Sequence, residues 1–197
     1  MLIWRTLRMG LFALVLFNLL LYVVHHYGSH DQVGYAAAQA GGTTGSPIYF
    51  SPDTNLEEID VAMIGRAQRT IDVAMYAFTD RRIAAALRRA AGHGVKVRIY
   101  RDRDQYEEEE RRGGGVRSIL AGEPNISIRV KASNELMHEK AVLYDGHLLR
   151  DGSGNWSISA ARYQDNEISV SDNAAMADAF ASDFERMWSR TDNTVIQ

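Results

Sequence analysis

The sequence predicts an α/β domain: a mixed, largely parallel β-sheet flanked by helices on both faces, preceded by an N-terminal hydrophobic segment. Three observations lead there. Short runs rich in β-forming residues alternate with helical apolar stripes from Ile48 to Tyr100. The links between them are short, which favours parallel strands joined by covering helices. Hydrophobic content of 46% with three prolines suits a folded chain rather than a disordered one.

The chain has 197 residues, enough for one domain and an appendage. Arg5 and Arg8 precede an apolar run, Leu11–Val24, and no further Lys or Arg follows until Arg66. That asymmetry places the N-terminus in the cytosol and the remainder outside it. Residues 1–27 read as a signal peptide, with Ala38-Gln39-Ala40 as a distant cleavage site, or as an uncleaved membrane anchor. Residues 28–46 are small and polar and read as a flexible linker, in which His25, His26 and His30 border or belong to the juxtamembrane stretch rather than to a metal site. The folded domain is expected over 47–197.

Within it, Ile48-Tyr49-Phe50 is a short strand and Ser51-Pro52-Asp53-Thr54 a turn before a helix carrying Leu56, Ile59, Ala62, Met63 and Ala67. Ile71–Phe78 is a strand. Thr79 or Asp80 caps a helix with Ile83, Ala86, Leu87 and Ala90 inward, ended by Gly92-His93-Gly94. Val95–Tyr100 alternates as a strand does. Glu107–Glu110 reads as a solvated helix face. A helix from Val116, a strand Ile126–Val130, strands Met137–Tyr144 and Leu148–Arg150 around an Asp145-Gly146 turn, and a strand Glu167–Val170 follow. Ala174–Ser189 closes the domain, with Met176, Phe180, Phe184 and Met187 inward. Trp156 and Trp188 read as core or pocket wall.

Net charge is −3, which argues against a globally basic surface for nucleic acid, and the absence of cysteine excludes disulfides and thiol nucleophiles. Chemistry concentrates in residues 138–155: His138-Glu139-Lys140, then Asp145, then Gly152-Ser153-Gly154-Asn155, once in the chain. On a strand His138 and Lys140 share a face. Gly152 permits close backbone approach, and Ser153 and Asn155 supply neutral donors. A neutral imidazole can attack phosphorus and form a phosphohistidine, while Lys140 neutralises the diester and Asn155 holds an oxygen. A second group must protonate the departing alkoxide and activate water. Arg98, Arg101 and Arg103 straddle the end of a central strand. They are read either as contacts to a phosphate backbone, Arg101 foremost, or as structural partners of Asp102, Asp104 and the glutamate run.

This H-x-K-(x)4-D-(x)6-G-S-x-N pattern resembles the HKD motif of the phospholipase D superfamily. The chain is similar to its small single-motif members, the bacterial periplasmic Nuc-type endonucleases and the cardiolipin-hydrolase-like proteins. The likeness spans roughly Ile48–Arg190, including IDVAMYAFTD, GVKVRIYRD and Gln164-Asp165-Asn166-Glu167. It implies the phospholipase D/nuclease fold, no cofactor and no metal. It implies His138 as nucleophile, Lys140, Asn155 and Ser153 on the phosphate, and Glu167 orienting the histidine. Asp145 belongs to the motif but reads as a turn former as readily as a catalytic group. A homodimer is implied, with His138 of the partner subunit as general acid. Asp151, where Thr often stands, adds negative charge near an anionic substrate. The expected activity is metal-independent phosphodiester hydrolysis, foremost of nucleic acid outside the cytosol, in the periplasm or tethered to the inner membrane. The alternative is a phospholipase D acting on phosphatidyl lipids or cardiolipin at the membrane.

Overall fold

The computed structural model describes residues 46–197, so the hydrophobic segment and most of the linker lie outside the described residues. In chain order the elements are β1 (Ile48–Ser51), α1 (Leu56–Ile64), β2 (Thr70–Met75), α2 (Arg81–Gly92), β3 (Lys96–Arg101), α3 (Arg103–Arg111), α4 (Arg117–Leu120), β4 (Ile126–Val130), β5 (Lys140–Tyr144), β6 (Leu148–Gly152), α5 (Ile158–Arg162), β7 (Asn166–Ser171), α6 (Ala174–Trp188) and β8 (Thr194–Val195). Eight strands form one sheet in the order β1-β7-β6-β5-β2-β3-β4-β8.

The sheet is mixed, but the expectation of a largely parallel one is wrong. Only β2/β3 and β3/β4 run parallel; the other five neighbouring pairs are antiparallel. The helical crossovers after β2 and β3 give parallel neighbours, as such connections require. β5, β6 and β7 alternate in direction, with a tight turn between β5 and β6. β1 does not sit beside β2 despite the helix between them; it pairs with β7 at the sheet's edge.

Local chemistry sets the helix starts. Asn55 caps α1 through the Glu57 N–H, and Asp80 caps α2 through the Arg82 and Ile83 N–H groups. α1 stops at Ile64, short of Ala67. α6 covers one face of the sheet, where Phe184, Met187 and Trp188 pack with Ala74, Tyr100 and Met137. The other face is lined by Ile71, Val73, Val97, Ile99 and Ile128, all buried, and α2 packs against β3. Ala177 takes the inward place expected of Met176, which is 42% exposed.

Two strand boundaries bear on function. β2 ends at Met75, not Phe78, because Arg101 takes the Met75 and Tyr76 carbonyls. β5 starts at Lys140, so His138 and Glu139 precede the strand that Met137–Tyr144 was expected to form.

Candidate active site

The carboxyl ends of β2 and β6 and the amino ends of β5 and β7 meet at one end of the sheet. Lys140 lies opposite Met75, and Gly152 opposite Ile168. Crevices at strand carboxyl ends are where α/β sheets place ligands.

His138 is exposed, one residue beyond the buried Met137, whose N–H donates to Asp102 Oδ2 at 3.0 Å. Asp102 also caps α3 through Gln105. One carboxylate therefore ties the loop before His138 to the end of β3. The His138 ring stands 4.6 Å from the Tyr76 ring, tilted by 57°.

Lys140 is 7% exposed. Its Nζ donates to the His138 carbonyl at 2.5 Å and lies 5.2 Å from the centre of the Tyr76 ring. An ammonium has three protons, and only one is committed to a hydrogen bond among the described residues. Burial, then the nearby Arg150 charge, lower the Lys140 pKa from its ordinary value.

Asn155 Oδ1 accepts from the Ala77 N–H at 3.0 Å. A backbone N–H can only donate, so the amide is oriented with Nδ2 turned away from it. Ser153 Oγ donates to Glu167 Oε2 at 2.6 Å, and the Ser153 N–H donates to Glu167 Oε1 at 3.1 Å. The Glu167 carboxylate is thus engaged by Ser153. Among the described residues no hydrogen bond joins it to His138, the contact the motif's resemblance implied.

Gly152 has φ +152°, and a Cβ there would stand 2.3 Å from the Glu167 carbonyl oxygen. Only glycine lets β6 approach β7 closely enough to make the Ser153–Glu167 contact.

Two expected site residues are elsewhere. Asp145 sits at the far end of β5 with φ 53°, accepting from the Gln68, Arg69 and Thr70 N–H groups. Burial alone would raise its carboxyl, but those three donors win and hold it below the ordinary value. It closes a turn, about 16 Å of strand from Lys140. Arg101 is 2% exposed and bonded to Met75 O, Tyr76 O and Glu109, so it cannot reach a phosphate backbone. Arg98 is paired with Asp72 and Glu185, and Arg103 with Asp104 and Asn134. All three arginines are structurally paired, Arg101 and Arg103 with expected partners and Arg98 with Asp72 and Glu185 instead of Asp102, Asp104 or the glutamate run. Glu109 likewise leaves the expected solvated face: it is buried between Arg101 and the Phe78 N–H.

Sequence reasoning missed Arg150. Fully buried, it forms a two-point pair with Asp60 and donates to the Lys140 carbonyl at 2.7 Å and the Gly154 carbonyl at 2.9 Å. It joins the two halves of the motif from beneath. The available signal was a charge at an inward position of β6, between Leu148 and Gly152. Tyr76 was visible only as a member of an early strand, and Asp102 only as a partner for the arginines. Among the described residues no group of three or more His, Cys, Asp or Glu side chains could hold a metal ion.

An exposed imidazole, a sheltered cation and oriented neutral donors, set at the strand ends of this sheet, define an anion-handling site of the phospholipase D type. The chain belongs to that superfamily: residues 61–188 match the family described as cardiolipin synthase, PLD-like domain. Relatives include the mitochondrial cardiolipin hydrolases of Xenopus tropicalis, 30% identical over 64% of this chain and 58% of that protein, and of Drosophila melanogaster, 30% identical over 70% and 61%. The chain thus spans about three-fifths of the length of these relatives. In fold it is similar to Nuc from Salmonella typhimurium, with TM-score 0.68 at 21% identity over 78% of this chain and 98% of that one. NucT from Helicobacter pylori gives 0.64 at 24% identity over 73% and 95%.

Proposed function

We propose that the chain is a metal-independent phosphodiesterase that cleaves through a phosphohistidine on His138. The observation that carries this is the sheltered Lys140 ammonium, set against the same Tyr76 ring as the exposed imidazole, with two of its three protons uncommitted among the described residues. In the neutral form His138 would attack phosphorus in line, and the P–O bond to the departing alkoxide would break. Lys140 and the Asn155 Nδ2 would hold the non-bridging oxygens, where charge builds up in the transition state. Water would then split the phosphorus–nitrogen bond and return the imidazole.

A second proton carrier is needed, and His138 of the partner subunit would fill that role in a homodimer. Exposed apolar side chains around this end of the sheet support a covering second copy. Phe50 is 57% exposed on β1 opposite Glu167, Leu136 61% two residues before His138, and Ile158 53% and Tyr163 74% on or beside α5.

The substrate reading the geometry favours is a lipid-borne diester, the class named in the cardiolipin hydrolase relatives. A diester of this kind needs one cation, and the site offers Lys140. Polyanion binding draws on several phosphate contacts; of the three arginines expected to make them, Arg101 is buried and Arg98 and Arg103 are each engaged by carboxylates. An endonuclease is the second reading, favoured by the open position of His138, which a polymer could reach. Export and membrane tethering remain part of the proposal through residues 1–27.

The test is one assay in excess EDTA of single-stranded DNA, duplex DNA, RNA, phosphatidylcholine and cardiolipin. Lipid turnover without nucleic-acid cleavage is the expected result. Nucleic-acid cleavage alone would overturn the substrate reading, and loss of all turnover in EDTA would overturn metal independence.

A further inference from the structure

We infer that Tyr76 is a positioning residue whose ring face holds the His138 imidazole and the Lys140 ammonium in their working arrangement. This rests on the phosphodiesterase reading and extends it to a residue outside the motif.

Tyr76 is held on both sides of its backbone. Its N–H donates to the Glu139 carbonyl at 2.9 Å, between the two motif residues, and its carbonyl accepts from Arg101 at 3.0 Å. The next residue continues the seam: Ala77 N–H donates to Asn155 Oδ1, and the Ala77 carbonyl accepts from Trp156. The ring therefore projects from a fixed point against the His138–Lys140 half of the motif.

There it meets two functional groups at once. The imidazole lies at 4.6 Å, centre to centre, and the ammonium at 5.2 Å. Among the described residues no hydrogen bond from Glu167 orients His138, and the Tyr76 ring is a side-chain contact that limits where the imidazole can go. For Lys140 the ring face matters electrostatically. The charged groups near the ammonium are the Arg150 guanidinium on β6 and, behind it, the Asp60 carboxylate on α1, with His138 the titratable neighbour. Arg150 repels the ammonium and Asp60 already serves Arg150. The ring quadrupole, with the His138 carbonyl, offsets that repulsion and helps keep Lys140 charged.

The sign follows. If the ring is removed, the ammonium is less stable and loses its proton at lower pH. The Tyr76 hydroxyl has no part in this, so phenylalanine should serve as well.

The experiment uses the full chain and bis(p-nitrophenyl) phosphate in EDTA, with Tyr76→Leu, Tyr76→Met and Tyr76→Phe. Two aliphatic variants guard against a folding failure of one. The aliphatic variants should lose about tenfold in kcat/KM, and their alkaline limb should move to lower pH. Tyr76→Phe should keep the wild-type rate and profile. An aliphatic variant with unchanged rate and alkaline limb would overturn the inference, as would Tyr76→Phe behaving like Tyr76→Leu. Failure of the underlying reading looks different: a wild-type chain without turnover, or His138→Ala with full turnover.

Discussion

Arg150 and Asp60 form a two-point ion pair, at 3.0 and 3.1 Å, in the fully buried space beneath the candidate site. The same guanidinium holds the Lys140 and Gly154 carbonyls. Arg150→Met should cost about 3–5 kcal/mol in urea unfolding, because it strands a buried carboxylate. Asp60→Met added to it should recover only part of that loss. The carboxylate is gone, but two buried carbonyls still lack a donor, at about 1–3 kcal/mol each. Full recovery in the double variant would show that the carbonyl contacts contribute nothing.

Gly152 is the point where β6 nears β7. Gly152→Ala should destabilise by more than about 2 kcal/mol, since its Cβ meets the Glu167 carbonyl and must push the strands apart. Turnover should fall with it, because Ser153 would lose its fixed distance to Glu167. An alanine variant with the wild-type melting temperature would contradict the close approach.

Asp145 should prove structural. Its folded-state carboxyl is held below the ordinary value, so its contribution is present above the unfolded value and is lost as pH falls through the folded one. Asp145→Asn keeps the shape and tolerates the positive φ. Thermal melts should show the variant less stable than wild type at pH 6, with the gap closing as pH falls below the ordinary aspartate range. Activity at a temperature where both are folded should be unchanged. A collapse of turnover in a folded Asp145→Asn would return this residue to the site.

Glu139 behaves oppositely. Burial, and the Asp183 carboxyl beside it, push its carboxyl up to about 7. A raised folded value means stability present at low pH and lost as pH climbs from the ordinary glutamate range through about 7. Glu139→Gln should therefore match wild type near pH 4 and exceed it above pH 7. Equal pH profiles for the two would show that Glu139 titrates normally.

Much of this was readable from residue order. The motif named His138, Lys140, Ser153 and Asn155, and the structure gathers the elements carrying them at one end of the sheet. The Asp80 cap and β2, β3 and β4 follow from local patterns, whereas α1 is capped by Asn55 and not from within the turn over 51–54. What was hidden depends on distant partners. A parallel sheet followed from the early βαβ rhythm, but whether β1 joins β2 or β7 is settled by packing between residues more than 100 positions apart. Arg101 looked like a surface cation because its partner Glu109 sat in a run of four glutamates that resembled a solvated face. Arg150 escaped notice for the same reason: an isolated charge in a strand reads as exposed until Asp60 is seen opposite. The alternation of Met137–Tyr144 suggested one strand, whereas Asp102 draws Met137 aside and leaves His138 free of the ladder.

The central claim is that His138 carries the phosphoryl group. The most direct measurement is a rapid alkaline quench of the wild-type chain during turnover of a diester in EDTA, followed by peptide mass spectrometry. A phospho-adduct is expected on the peptide containing His138 and is expected to be absent from His138→Ala. Undiminished turnover in His138→Ala, or an adduct on another residue, would contradict it.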